Sequence, residues 1–285
     1  MHTTDGFAAS AVGPQTVPGK DRRRAELAVL VIGLGSVGHR LADLVADGAA
    51  GRTEIVGFLI RDPRRHARFR SLSKIPQVIE WRDALALRPD VVVEAAGHDA
   101  FRTYVPAFLE AGIDVIAISV GALADPATLS AVHAAAERGG SRLRIPSGAI
   151  AGLDAISAAA IGRLDRVTHT VRKPPASLLD AEEAAAVIAS GTPRVLFDGS
   201  ARDAASRFPA NVNVVAAVSL AGLGLDRTLA RVVADPGVTR NTHEVRVEGD
   251  FGRLDLTIEN TPSENPRTGV IVALSLARTL RAYGE

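Results

Sequence analysis

Leu27-Ala-Val-Leu-Val-Ile-Gly-Leu-Gly-Ser-Val-Gly38 is an apolar run that ends in a G-x-G-x-x-G spacing, and Val37, Leu41, Leu44 and Val45 continue it with helical periodicity. A buried strand, a glycine turn and an amphipathic helix in that order open a dinucleotide-binding βαβ unit. Gly33 permits the tight turn, Gly35 lets backbone approach a diphosphate with no Cβ between, and Gly38 lets helix and strand pack closely. The N–H groups of Ser36, Val37 and Gly38 then face an anion at the positive end of the helix dipole. Alone the spacing is weak; between a strand and a helix it has the context that the mechanism needs.

Outward from this loop the alternation of strand and helix continues. Glu54 to Ile60, Asp90 to Ala95 and Asp114 to Ser119 read as further buried strands, with a helix over Ala100 to Ala111 in which Pro106 predicts a kink. Past Gly148 the strands lengthen and alternate polar with apolar residues, as expected where one sheet face is covered. Arg166 to Lys173 is one such strand. Asn241 to Glu248 and Arg253 to Glu259 form a hairpin through Gly249-Asp-Phe-Gly252. Thr268 to Tyr283 is a last amphipathic helix, with Val272, Leu276, Leu280, Ile271 and Leu274 as its apolar stripe.

The fold class is therefore α/β: an N-terminal doubly wound parallel sheet of Rossmann type, then an α+β domain on a mixed or antiparallel sheet. The expected boundaries are a disordered tail over residues 1–26, a dinucleotide domain over 27–148 on which a C-terminal helix within 267–285 docks back, and a substrate and dimerisation domain over 149–266. In the tail the basic cluster Lys20, Arg22, Arg23 and Arg24 follows the mildly apolar stretch, the reverse of a secretory signal.

Composition narrows the function. In 285 residues, 33 Lys and Arg against 32 Asp and Glu leave a formal charge of +1. No global field recruits nucleic acid or an anionic membrane. No apolar run approaches the ~20 residues that cross a bilayer. Zero Cys excludes disulfides, thiolate metal sites and cysteine nucleophiles, and suits a cytoplasmic setting. No histidine pair has helical ligand spacing, so no metal site is expected. The expected partner is a small molecule.

Hydride chemistry needs a nicotinamide cofactor, NAD or NADP, and a protein group to manage protons. At the end of the second strand stand Arg61 and Asp62, then Arg64 and Arg65. Arg61 in the first position favours NADP or dual use, while Asp62 also suits a helix cap. Among seven histidines, His98 follows the third strand at its carboxyl edge, a position for a cofactor contact. His243 shares a strand face with Val245 and Val247, and His169 shares one with Val167 and Val171. Period alone does not separate the two, and both also fit a hydrogen-bonded core histidine. Arg172-Lys173 and Ser263, Asn265, Arg267 and Thr268 are candidates for holding a substrate carboxylate; a proline-stiffened turn explains the second group equally well. Asn211 or Asn213 is expected to cap the following helix or to bind the nicotinamide amide.

The full set of segments resembles the L-aspartate dehydrogenases. They are Val31 to Gly38, Val92-Val-Glu-Ala-Ala96, Ser119 to Asp125, Ile145-Pro-Ser-Gly-Ala-Ile150 and Thr170 to Pro175. Phe208 to Val214, Asn241-Thr-His-Glu244, Gly249 to Gly252 and Glu259 to Pro266 follow. Each is short, but their order and spacing over the chain after Glu26 are specific. The resemblance implies NAD(P)-dependent oxidative deamination of L-aspartate to iminoaspartate, then oxaloacetate and ammonia, with the reverse reaction and a supply of iminosuccinate to NAD synthesis. It places the catalytic histidine at His243, where an imidazole pKa near 6.5 suits a general base. It places cofactor contacts at Ser147, where the family usually has Ala, and at Asn213. It also implies a homodimer. The competing readings are a related two-domain enzyme of homoserine dehydrogenase type and a non-catalytic dinucleotide sensor.

Overall fold

The computed structural model describes residues 26–62, 74–208, 212–263, 265 and 268–285. The described residues divide into two compact units, one holding Glu26 to Gly148 together with Val272–Glu285, the other Ala149–Ile271.

The first unit is built on six parallel strands. They are β1 (Leu27–Ile32), β2 (Thr53–Leu59), β3 (Gln77–Val78), β4 (Val91–Glu94), β5 (Asp114–Ala117) and β6 (Leu143–Arg144). Their spatial order, β3-β2-β1-β4-β5-β6, is that of a dinucleotide-binding sheet. Every residue of β1 and β4 is buried, which is why these strands read as continuous apolar runs. The order reverses between β1 and β4, which pair in parallel. Ligands of such sheets bind outside the carboxyl ends at that reversal.

Helices α1 (Ser36–Ala46), α2 (Trp81–Ala86), α3 (His98–Glu110) and α4 (Pro126–Gly139) connect the strands. α3 is assigned as one helix through Pro106. α4 is bounded by local chemistry: the Asp125 carboxylate accepts from the amides of Ala127 and Thr128, Pro126 occupies the first turn, and Gly140 ends it at φ 62°.

The second unit has five strands in the order β11-β10-β7-β9-β8. They are β7 (Leu164–Lys173), β8 (Arg194–Ser200), β9 (Leu229–Ala234), β10 (Asn241–Gly249) and β11 (Gly252–Asn260). β7 and β9 are parallel and the other pairs antiparallel, so the sheet is mixed. β10 and β11 turn through Asp250 and Phe251, with Gly249 opposite Gly252. Sequence periodicity did not single out β8 and β9. α5 (Leu153–Ala159), α6 (Ala181–Ser190), α7 (Ala201–Arg207) and α8 (Val212–Ala221) complete this unit. α8 packs on β7 and against α5 and α7, and it is buried at Val212, Val215, Val218 and the alanines between them. The opposite sheet face carries paired charges, including Arg246 with Asp255 and Arg231 with Asp198.

The last helix, α9 (Ile271–Gly284), buries Val272, Leu276 and Leu280. The Tyr283 hydroxyl donates to Asp114 at 3.0 Å, and the Gly148 amide donates to the Ser275 hydroxyl at 3.1 Å. Leu274, expected in the apolar stripe, is exposed at 44%. Ala273 and Ala277 flank the buried line in its place, because the covered face of the helix follows Val272, Leu276 and Leu280.

Candidate active site

The glycine loop has the geometry that a diphosphate requires. Gly33 has φ 95°, and a Cβ there would lie 2.7 Å from the Cβ of Ala96. A Cβ on Gly38 would lie 2.4 Å from the Gly33 carbonyl oxygen, so both glycines are fixed by close approach. Gly35 differs. It is exposed, its φ of −82° suits any residue, and nothing lies within 4 Å of where a Cβ would stand. That open space lies in front of a helix start with no side-chain cap, where Ser36, Val37 and Gly38 carry the first amides. The loop thus fits a dinucleotide diphosphate on this structure's own geometry.

Glu94, which sequence reasoning did not single out, organises the same edge. It ends β4 with no solvent exposure. Oε1 accepts from the amides of Ala96 and Gly97 at 2.8 and 2.9 Å and from the Ser119 hydroxyl at 2.9 Å; Oε2 accepts from the Ser119 amide at 3.0 Å. Burial pushes its pKa up, against the four hydrogen bonds that pull it down. A carboxylate ending an otherwise apolar strand was the available signal. Arg61 lies exposed just beyond β2, and Ser147 is half-buried in the loop after β6. His98 is the first residue of α3. Arg64, Arg65, Asn211 and Arg267 lie outside the described residues.

In the second unit β7 and β10 bring two histidines together. In their register His243 is opposite Val171 and His169 is opposite Val245, so the imidazoles occupy diagonal positions on one face. His169 Nε2 and His243 Nδ1 are 3.0 Å apart, and the ring planes lie 23° from parallel with centroids separated by 5.2 Å. Both side chains are buried, at 2% and 3% exposure. His169 also lines a small cleft with Ala204, Phe208, Val212 and Val215.

Burial, reinforced by the neighbouring Lys173 charge, lowers the His243 pKa to about 4. This corrects the expectation of an ordinary imidazole: at neutral pH the ring is uncharged, and burial makes it a weaker base than a free imidazole. His169 is held well below the usual range by burial and by His243.

Lys173 falls on the histidine face, and burial lowers its pKa. Arg172 does not share that face, so the expectation of two adjacent cations acting together on a carboxylate is corrected by strand alternation. Arg172 instead pairs across the opposite face with Glu244 at 2.8 Å and with Asp235 at 3.0 Å. Ser263, Asn265 and Thr268 form a closed turn. The Ser263 and Thr268 hydroxyls are 2.5 Å apart and both lie within reach of the Asn265 carbonyl, at 3.0 and 3.1 Å, so one hydroxyl donates to the other and that one to the carbonyl; the Ser263 amide donates to the Thr268 carbonyl. Asn213 is not a helix cap but the exposed second residue of α8.

Comparison with known proteins follows the same division. The family model described as the C-terminal region of aspartate dehydrogenase matches residues 154–283, a span that contains His169, Lys173, Asn213 and His243. The model described as the NAD-binding domain of homoserine dehydrogenase matches residues 33–146. L-aspartate dehydrogenase of Pseudomonas aeruginosa is 40% identical over 259 residues, 89% of this chain and 96% of that one. L-aspartate dehydrogenase of Bradyrhizobium diazoefficiens is 41% identical over 266 residues, 90% of this chain and 91% of that one. The crystal structure of aspartate dehydrogenase from Thermotoga maritima is similar with a TM-score of 0.72 at 27% identity, covering 91% of this chain and 97% of that one. With a dinucleotide loop in one unit, a buried imidazole pair in the other and this extent of likeness across both, the chain belongs to the L-aspartate dehydrogenase family of oxidoreductases.

Proposed function

We propose that this protein catalyses the NAD(P)-dependent oxidative deamination of L-aspartate, giving iminoaspartate and then oxaloacetate and ammonia. One observation carries the reading: identity of about 40% with named L-aspartate dehydrogenases extends over nine-tenths of the chain, through both the glycine loop and the His243 strand. In it Gly33, Gly35 and Gly38 with the amides of Ser36 and Val37 hold the diphosphate, and Ser147 and Asn213 make further cofactor contacts. Arg61 supports acceptance of a 2′-phosphate, hence NADP as well as NAD.

When bound, the nicotinamide supplies the hydride acceptor. The protein manages charge and protons. Lys173, on the His243 face, attracts a substrate carboxylate; Ser263, Asn265 and Thr268 offer polar groups of the closed turn for a second one. His243, neutral at physiological pH, takes a proton at Nε2 from the substrate amine or from the water that adds to the C=N bond. Addition of water and departure of ammonia then give the keto acid.

The reading extends to the reverse amination, to supply of iminosuccinate for NAD synthesis, and to a cytoplasmic homodimer. Among the described residues no helix is long and apolar enough to cross a membrane. The deciding experiment follows the near-ultraviolet absorbance of reduced nicotinamide with L-aspartate, L-homoserine or no amino acid, each with NAD and NADP. Growth with aspartate alone supports the proposal. Growth with homoserine alone selects the related enzyme, and none with any substrate selects a dinucleotide sensor.

A further inference from the structure

The imidazole assigned above as the base has a single hydrogen-bond partner among the described residues, and that partner is another imidazole. We propose that His169 is a positioning residue: its Nε2 accepts the Nδ1–H of His243 and so holds His243 in the tautomer whose Nε2 carries the lone pair.

The argument is one of proton placement. Two neutral rings whose nitrogens lie 3.0 Å apart share one hydrogen between them. If His169 donates it, the remaining hydrogen of His243 sits on Nε2, and that nitrogen cannot accept a proton from substrate. If His243 donates it, Nε2 is a free acceptor. Only the second arrangement also survives the reaction, because a protonated His243 presents hydrogens on both nitrogens and its Nδ1–H still needs an acceptor. The other neighbours across the two strands offer none: Val171 lies opposite His243, and Val245 follows it on the same face. The rings are buried on adjacent strands of a sheet, so their mutual orientation is fixed by backbone pairing rather than by a loop. Burial opposes charge on both imidazoles. With Nδ1–H of His243 donated to His169 Nε2, the basic nitrogen of His243 is its Nε2, so the added proton goes there and His169 orients the ring without itself being protonated.

This inference rests on the reading of His243 as the base, and its test separates the two. Long-range proton–nitrogen NMR correlation on the full-length protein, assigned with His243→Asn, reports the tautomer without any turnover. The expected result is Nδ1–H on His243 in the wild type and a shift toward Nε2–H in His169→Phe. With aspartate, His169→Phe is expected to lose on the order of tenfold in kcat, with KM and the dissociation constant for reduced cofactor nearly unchanged. His169→Gln, whose side-chain oxygen is an acceptor of similar reach, should recover most of the rate. A wild-type spectrum showing Nε2–H overturns the proposal, and that measurement stands even if His169→Phe does not fold. An unaltered kcat in a folded His169→Phe overturns it too. A wild type that carries Nδ1–H yet does not oxidise aspartate sinks the substrate assignment and leaves the pairing intact.

Discussion

The carboxylate of Glu94 and the backbone and hydroxyl of Ser119 are joined across the ends of two adjacent parallel strands, at 3.0 and 2.9 Å. The same carboxylate holds Ala96, the residue against which Gly33 is packed. Glu94→Gln replaces one acceptor oxygen with a donor that faces donors. Folding stability should fall by about 1–3 kcal/mol, and cofactor affinity should weaken with it. Denaturant midpoints and cofactor titration check this. An unchanged midpoint would mean that the native carboxyl is already protonated.

The three glycines of the loop should separate fold from binding. Gly33→Ala forces a side chain into a left-handed conformation against Ala96, and Gly38→Ala drives a Cβ into the Gly33 carbonyl. Each should cost about 2–4 kcal/mol or prevent folding. Gly35→Ala meets no protein atom. It should melt within about 0.5 kcal/mol of the wild type while binding dinucleotide roughly tenfold or more weakly. Equal affinity in a folded Gly35→Ala would show that the space in front of the helix is not where the diphosphate lies.

Alternation along β7 makes Lys173 and Arg172 functionally unequal. Lys173→Met should raise KM for aspartate at least tenfold, with cofactor affinity unchanged. Arg172→Met breaks part-exposed ion pairs with Glu244 and Asp235. It should cost about 1 kcal/mol or less in stability and leave KM near the wild-type value. Steady-state kinetics on the two variants tests both statements, and matching KM values would refute the separation of faces.

The buried imidazoles make stability depend on pH with a definite sign. Residue 243 has an ordinary pKa near 6.5 in the unfolded chain and about 4 in the folded one. Between those values the unfolded chain binds the proton that the native ring refuses, so stability rises with pH across the window. It is complete above about 6.5 and is lost as pH falls toward 4. The displacement amounts to about 3 kcal/mol at most, and His169 acts in the same direction. Denaturant unfolding at neutral and acidic pH should show a smaller loss for His243→Asn than for the wild type. An identical pH dependence would contradict burial of that ring.

Much of this molecule can be read along the chain because its decisive patterns are local. The run from Leu27 to Gly38 specifies strand, turn and helix within twelve residues, and Gly249 to Gly252 marks a hairpin whose register the structure confirms. The imidazole pair is not local. His169 and His243 are separated by 74 positions, and their contact follows from the pairing of β7 with β10, which no periodicity within either strand encodes. The opposite faces of Arg172 and Lys173 were legible from strand alternation. Proximity in sequence suggested cooperation where the pleat imposes separation. β9 escaped notice because Leu229 to Ala234 is a short apolar stretch that fits a buried helix segment as well as a strand.

The return of α9 to the unit that begins at Leu27 sets an order of events during synthesis. The intervening stretch from Ala149 to Ile271 is complete in sequence before Leu276 and Leu280 emerge. The half that is made last to be finished is therefore the one that was started first: its surface awaiting those leucines stays uncovered while more than a hundred further residues are translated. Early termination within the final helix would thus injure the glycine-loop half rather than the half that directly precedes it on the ribosome.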